Sequence, residues 1–226
     1  MAALVEFSDH TNYCLVQLDD GKANAISPQM AIEINGALDR AEATGKVVVL
    51  AGRPGKFSAG FDLSVMGQGG EPMMSLLRDG ALLAQRLLQF PMPIVVAASG
   101  HALAMGGMLL LSTDYRIGME GNFKIGLNEV AIGMTLPYFG VVLAQFRLSS
   151  GHLNRAVMQA EVYDPAGAVE AGYLDEVVAP EALMERAIAK AEQLATLDLP
   201  SHTATKRRMR EQLSQALQEA IDKELG

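Results

Sequence analysis

The stretch Ile94-Val95-Val96-Ala97-Ala98-Ser99-Gly100-His101-Ala102-Leu103-Ala104-Met105-Gly106-Gly107 decides how the rest of the chain is read. Its first five residues are apolar and three of them are β-branched, which predicts a short buried strand. Gly100 turns the chain, and Gly106–Ser112 reads as a buried helix whose start is rich in small residues. Strand, glycine turn and helix start together present free N–H groups and the positive end of a helix dipole at one spot. Close helix packing at Gly106-Gly107 is the competing account of the same glycines.

Outward from that stretch the same grammar repeats. Val47–Leu50 is another buried β-branched run, followed by a Gly/Pro loop over Ala51–Lys56. Leu4–Phe7 and Cys14–Leu18 read as paired strands with a turn at His10–Asn12. Ser27-Pro28 supplies an N-cap and first-turn proline for a helix carrying Met30, Ile34, Leu38 and Ala41, closed by Gly45. Met73 to Leu88 is helical until Phe90–Pro93 breaks it. Tyr115–Ile117 is a further strand. Asp164-Pro165 opens a helix that ends near Gly172, Val177-Val178 is extended, and Pro180 onward is helical with a break at Leu199-Pro200. Short buried strands alternating with helices predict an α/β core built of crossover units. The strand-bearing part, residues 1–178, is expected to form the core domain, and 179–226 a helical region packed on it or on a neighbouring subunit.

Bulk properties narrow the function. The chain has 226 residues, half of them apolar, with a net charge of -8. Such an acidic surface argues against nucleic-acid or anionic-membrane partners. Cys14 is the single cysteine, so no intrachain disulfide forms. With no signal-peptide pattern and no bilayer-length apolar run, a cytoplasmic location is expected. The four histidines are scattered without metal-ligand spacing, so no metal is expected. Nucleophile-elbow, P-loop and dinucleotide-binding patterns are absent.

A second small-residue segment, Phe57-Ser58-Ala59-Gly60-Phe61-Asp62-Leu63, follows the Val47–Leu50 strand. Ala59 and Gly60 allow a backbone to approach a ligand closely. An acyl thioester deprotonated at its α-carbon places negative charge on the carbonyl oxygen. Two converging backbone donors would stabilise that charge.

The ordered set Lys22-Ala23-Asn24-Ala25, Phe57–Leu63, Gly100–Met108, Asp114-Tyr115-Arg116 and Ile125-Gly126-Leu127-Asn128-Glu129 resembles the crotonase (enoyl-CoA hydratase/isomerase) superfamily from about Leu4 to Val178. The resemblance implies an α/β crotonase fold of repeated β-β-α units with a helical C-terminal trimerisation region, in a homotrimer or a hexamer of two trimers. It implies a coenzyme A thioester as substrate and no other cofactor. It implies an oxyanion hole made by the amides of Phe61 and Met105. Lys22, Ala23, Ala59, Gly60, Asp62, Leu63 and Gly106 would contact the substrate or its CoA moiety.

Hydratases of the superfamily use two glutamates. By the same resemblance Met108 stands at the first position and Glu129 at the second, and methionine accepts no proton. One carboxylate suffices to move a proton from C2 of a 3-enoyl thioester to C4. Isomerisation of 3-enoyl-CoA to trans-2-enoyl-CoA with Glu129 as the sole acid/base is therefore the favoured reading. Hydration, another crotonase chemistry, and a non-catalytic CoA-ester-binding protein stay open. Met108 and Met134 are expected to line a deformable acyl pocket.

Other charged groups receive plainer readings. Asp62 caps the turn after it. Asp114 and Arg116, two apart on a strand, form a structural ionic or hydrogen-bonding pair. Lys206–Arg210 is a solvated helix face or a contact to CoA phosphates.

Overall fold

The computed structural model describes residues 3–226. Its strands are β1 (Val5–Asp9), β2 (Tyr13–Leu18), β3 (Val47–Ala51), β4 (Gly55–Ser58), β5 (Ile94–Ala98), β6 (Gly100–Leu103), β7 (Tyr115–Met119), β8 (Ile125–Gly126) and β9 (Glu176–Val178). Its helices are α1 (Pro28–Thr44), α2 (Leu63–Met66), α3 (Gly70–Gln89), α4 (Met105–Leu111), α5 (Tyr138–Arg147), α6 (Ser150–Met158), α7 (Pro165–Ala171), α8 (Leu183–Ala195), α9 (Leu199–Met209) and α10 (Glu211–Leu225).

Two sheets organise the chain. The larger runs β1-β2-β3-β5-β7-β9, and the smaller runs β4-β6-β8. Among the described strands only β1 and β2 pair antiparallel with each other and the other strand pairs are parallel, while isolated antiparallel bridges join Arg53 to Lys56 and Ile125 to Tyr163. Each of β3, β5 and β7 hands the chain to a partner in the small sheet before a helix follows. This is the repeated β-β-α unit of a crotonase fold.

The apolar runs of β3 and β5 are buried at every position because the large sheet is covered on both faces. One face meets α1, α3 and α4 in the main core. The other meets α8, whose Leu183, Ala187 and Ala191 recur every four residues against Val47, Val49, Val95 and Ile117.

Local signals work as their chemistry predicts. Ser27 Oγ accepts from the Met30 amide at 3.1 Å, and Gly45 ends α1 at a φ of 67°. Asp164 Oδ1 accepts from Gly167 at 2.7 Å, with Pro165 next. Three readings need correction. The break expected at Leu199-Pro200 falls just before it, over Thr196–Asp198, and Leu199-Pro200 begins α9, because Asp198 accepts from the Ser201 amide and proline suits the first turn. Gly55–Ser58 and Gly100–Leu103 are strands, not loop and turn.

The third correction concerns charge. Asp114 and Arg116 do not pair with each other. Asp114 binds Lys206 Nζ at 2.7 Å and Arg210 at 2.9 Å, while Arg116 grips Asp175 at 2.8 Å. Lys206 and Arg210 are therefore buried, not solvated, and their side chains tie α9 to the base of the large sheet. Burial holds the Lys206 ammonium down, to about 8, against the pull of Asp114. Arg207 and Arg208 remain exposed. No helix among the described residues is long and apolar enough to cross a membrane.

Candidate active site

The chain leaves each strand of the small sheet at the same end, and the three exits meet. After β4 come Ala59 to Leu63, after β6 comes Ala104 leading into α4, and after β8 come Asn128 and Glu129. Backbone bonds lock them together. Ala104 N donates to Gly126 O at 3.0 Å, Ile26 N to Gly60 O at 2.8 Å, and Ala59 N to Ala23 O at 3.0 Å. Asn24 staples the first exit: its Nδ2 donates to Leu18 O, Lys56 O and Phe57 O, while Ser58 Oγ donates back to Asn24 O at 2.7 Å. Close approach demands glycine at Gly60. Its φ is 98°, and a Cβ there would lie 2.8 Å from the Ala104 methyl and 3.4 Å from Met105 N.

That approach gathers the two amides singled out by sequence. Phe61 bridges Ile26 in parallel pairing. Because Gly60 and Asp62 supply the bonds to Ile26, the Phe61 N–H is left facing away. Met105 is the first residue of α4, where helix geometry provides no acceptor. Among the described residues neither amide donates to another protein group. Ala104 turns the chain into α4 with a left-handed φ of 51°, a strain of about 1–3 kcal/mol for a residue with a Cβ.

A cavity of about 470 Å³ opens on these segments, lined by Ala59, Phe61, Leu63, Ala104, Asn128, Glu129, Met134 and side chains of α2 and α3. Glu129 is buried in its wall, and neither carboxylate oxygen has a hydrogen-bond partner. Burial pushes its carboxyl from 4.5 up to about 7. Its backbone is fixed, since Glu129 O accepts from Ile132 at 3.1 Å and Met134 at 2.9 Å. A carboxyl that is poised near neutrality, in a largely apolar cavity beside two free amides, can exchange a proton with a bound carbon acid.

The remaining candidates divide. Asp62 accepts from Ser64 N at 2.8 Å and Ser64 Oγ at 2.7 Å, and these bonds hold its carboxyl below the usual range. Lys22 is exposed and, with Ala23, stays outside the lining. Gly106 packs on the Ser58 carbonyl. Met108 is a correction: it does not line the cavity. It is fully buried, its Sδ and Cε lying beside Gly140 in the core. Sequence reading missed Glu224, which lines the cavity from the end of the chain. It also missed Tyr173, fully buried near Glu129. Neither residue lies in a local motif that could have flagged it.

Comparison with known proteins places this architecture. The family model described as enoyl-CoA hydratase/isomerase matches residues 9–226, and the chain belongs to that enzyme family. A solved enoyl-CoA hydratase/isomerase family protein from Pseudomonas syringae superposes with a TM-score of 0.96 at 45% identity, covering 97% of this chain and 96% of that one. The Mtb enoyl-CoA isomerase gives 0.94 at 36% identity, covering 98% and 97%. A putative enoyl-CoA hydratase of Thermus thermophilus is 31% identical over 187 residues, 78% of this chain and 72% of the relative. Both reaction names thus occur among its relatives.

Proposed function

We propose that the protein isomerises 3-enoyl-CoA to trans-2-enoyl-CoA. The observation that carries this is Glu129, a buried carboxylate with no partner among the described residues; Glu224, the other carboxylate in the lining, is bonded to the Tyr138 amide, and Met108 lies in the core. In the proposed cycle ionised Glu129 removes a proton from C2. The electron pair moves onto the thioester oxygen, which the Phe61 and Met105 amides receive. As the double bond shifts to C2–C3, Glu129-H delivers the same proton to C4, so Glu129 ends as it began. Gly60 and Gly106 allow the backbone to close around the thioester, and Ala59 and Leu63 flank it. Lys22, whose charge acts on Asp62, and Ala23, which accepts from the Ala59 amide, would contact the CoA moiety outside the acyl cavity. Coenzyme A enters as part of the substrate, and the proton transfer calls on no further cofactor.

The test is direct. With a 3-enoyl-CoA, the conjugated-enoyl absorbance should rise, and Glu129→Gln should lower that rate by about 10³-fold. Loss of absorbance from a 2-enoyl-CoA without isomerisation would replace this reading with hydration. Silence toward both, with CoA esters still bound, would make the chain a binding protein. The rate should also climb as pH rises through about 7, since the base must be ionised.

Assembly into a homotrimer, or two stacked trimers, is part of the same proposal. Exposed Val130 and Met158 support it, since they share one surface with Val141 and Val157. Sedimentation equilibrium should report three or six chain masses.

A further inference from the structure

The last turn of α10 contributes Glu224 to the cavity lining. Glu224 is the only lining residue that comes from beyond Pro137. Its Oε2 accepts from the Tyr138 amide at 2.8 Å, the first N–H of α5. Pro137 gives that helix no side-chain cap, so Glu224 serves as one from a distant point in sequence. Beside it Lys223 Nζ lies 3.8 Å from the centre of the Tyr138 ring. On the opposite flank Arg78 Nε donates to Leu225 O at 2.5 Å, and Leu225 is buried. The end of α10 is thus clamped between α5 and α3. Met73, Met74 and Leu77 of α3 form the neighbouring apolar wall of the cavity.

We propose that Glu224 is a specificity-determining residue, the clamped end of α10 closing the acyl compartment so that short- and medium-chain thioesters fit and long ones do not. The clamp bears on length because Glu224 shares the cavity lining with Met73, Met74 and Leu77, the apolar wall that an alkyl chain would follow. Met73 and Met74 can shift around a growing chain, whereas Glu224 is held by its bond to the Tyr138 amide. The proposal rests on the acyl-thioester reading of the site, but not on which reaction follows binding.

Saturated acyl-CoAs from butanoyl to hexadecanoyl, inert to isomerisation and hydration alike, can be titrated calorimetrically. Wild-type affinity should rise with chain length, reach a limit and fall. Glu224→Ala should move the limit outward, with at least a tenfold gain for hexadecanoyl relative to butanoyl. Glu224→Gln, whose amide oxygen can still accept from Tyr138, should keep the wild-type limit. A limit left in place by a folded Glu224→Ala overturns the proposal. If the alanine variant does not fold, hydrogen exchange on the wild type decides. Amides of residues 219–225 should change protection with a chain at the limit but not with butanoyl-CoA, and indifference to both overturns the proposal. Failure of every acyl-CoA to bind the wild type overturns the thioester reading and this proposal together, whereas binding with an unmoved limit overturns this proposal alone.

Discussion

The two sheets are built by the same β-β-α repeat and do different things. Every residue of β3 and β5 is buried, and no large-sheet residue lines the cavity. The small-sheet strands are four, four and two residues long, yet each ends at the cavity, giving Ala59 and Phe61, Ala104, and Asn128 and Glu129. A short parallel strand with glycines stabilises little by itself. What it provides is register: three chain exits held side by side, each free to bend where a ligand needs a backbone amide. The large sheet supplies the cohesion that lets the small one spend its residues on geometry.

Removing Asp114 tests that division most severely. The residue accepts from the Ile94 amide at 2.7 Å and takes both Lys206 and Arg210, so it secures the starts of β5 and β7 and the whole of α9. Asp114→Ala leaves two buried cations without their carboxylate, a loss expected at about 3–5 kcal/mol. Urea unfolding would measure it. The rate per folded molecule should stay within a few-fold of wild type; a rate collapse at preserved fold would break the separation between the two sheets.

Glu129 predicts an opposite sign. Its carboxyl titrates near 7 folded and near 4.5 unfolded. The folded state therefore holds the proton more tightly, and stability falls as pH rises from about 4.5 to 7. Above that window the ionised group costs about 3 kcal/mol, present fully at pH 8 and absent below pH 4.5. Glu129→Gln should be more stable than wild type by that order at pH 8 and indistinguishable from it at pH 4. Equal stability at pH 8 would mean that the carboxylate is not desolvated, and the small sheet would then carry no strained chemistry.

This contrast also explains what the chain discloses. Val47–Leu50 and Ile94–Ala98 are readable because burial on both faces leaves an unbroken apolar run. Ser27-Pro28 and Asp164-Pro165 are readable because capping is local. Gly100-His101-Ala102-Leu103 shows no strand pattern, since its extended form is imposed by neighbours on either side. Phe61 and Glu129 stand out through their motifs, whereas the motif position of Met108 points to the cavity although its side chain turns into the core. Strand spacing pairs Asp114 with Arg116, but its partners, Lys206 and Arg210, arrive from α9 and its C-cap. Glu224 reaches the cavity only because α10 packs back across α3 and α5, a long-range fact with no local trace.

The smallest expected effect is the sharpest test of the geometric role. A Cβ on Gly106 would lie 2.2 Å from Ser58 O and 3.0 Å from Ser58 C. Both contacts are backbone at the end of β4, so no side chain can swing aside and α4 must move away from the first exit. Gly106→Ala should therefore separate the Phe61 and Met105 amides while the large sheet stays intact. A misplacement of about 1 Å at reacting groups costs about 10²-fold in rate, or about 2.7 kcal/mol of transition-state stabilisation. The loss should appear in kcat, because the oxyanion exists only in the transition state and intermediate, with the affinity for a saturated acyl-CoA changed far less. If the substitution instead weakens binding and leaves kcat untouched, Gly106 shapes the acyl compartment alone, and the two exits need not approach closely for the chemistry to proceed.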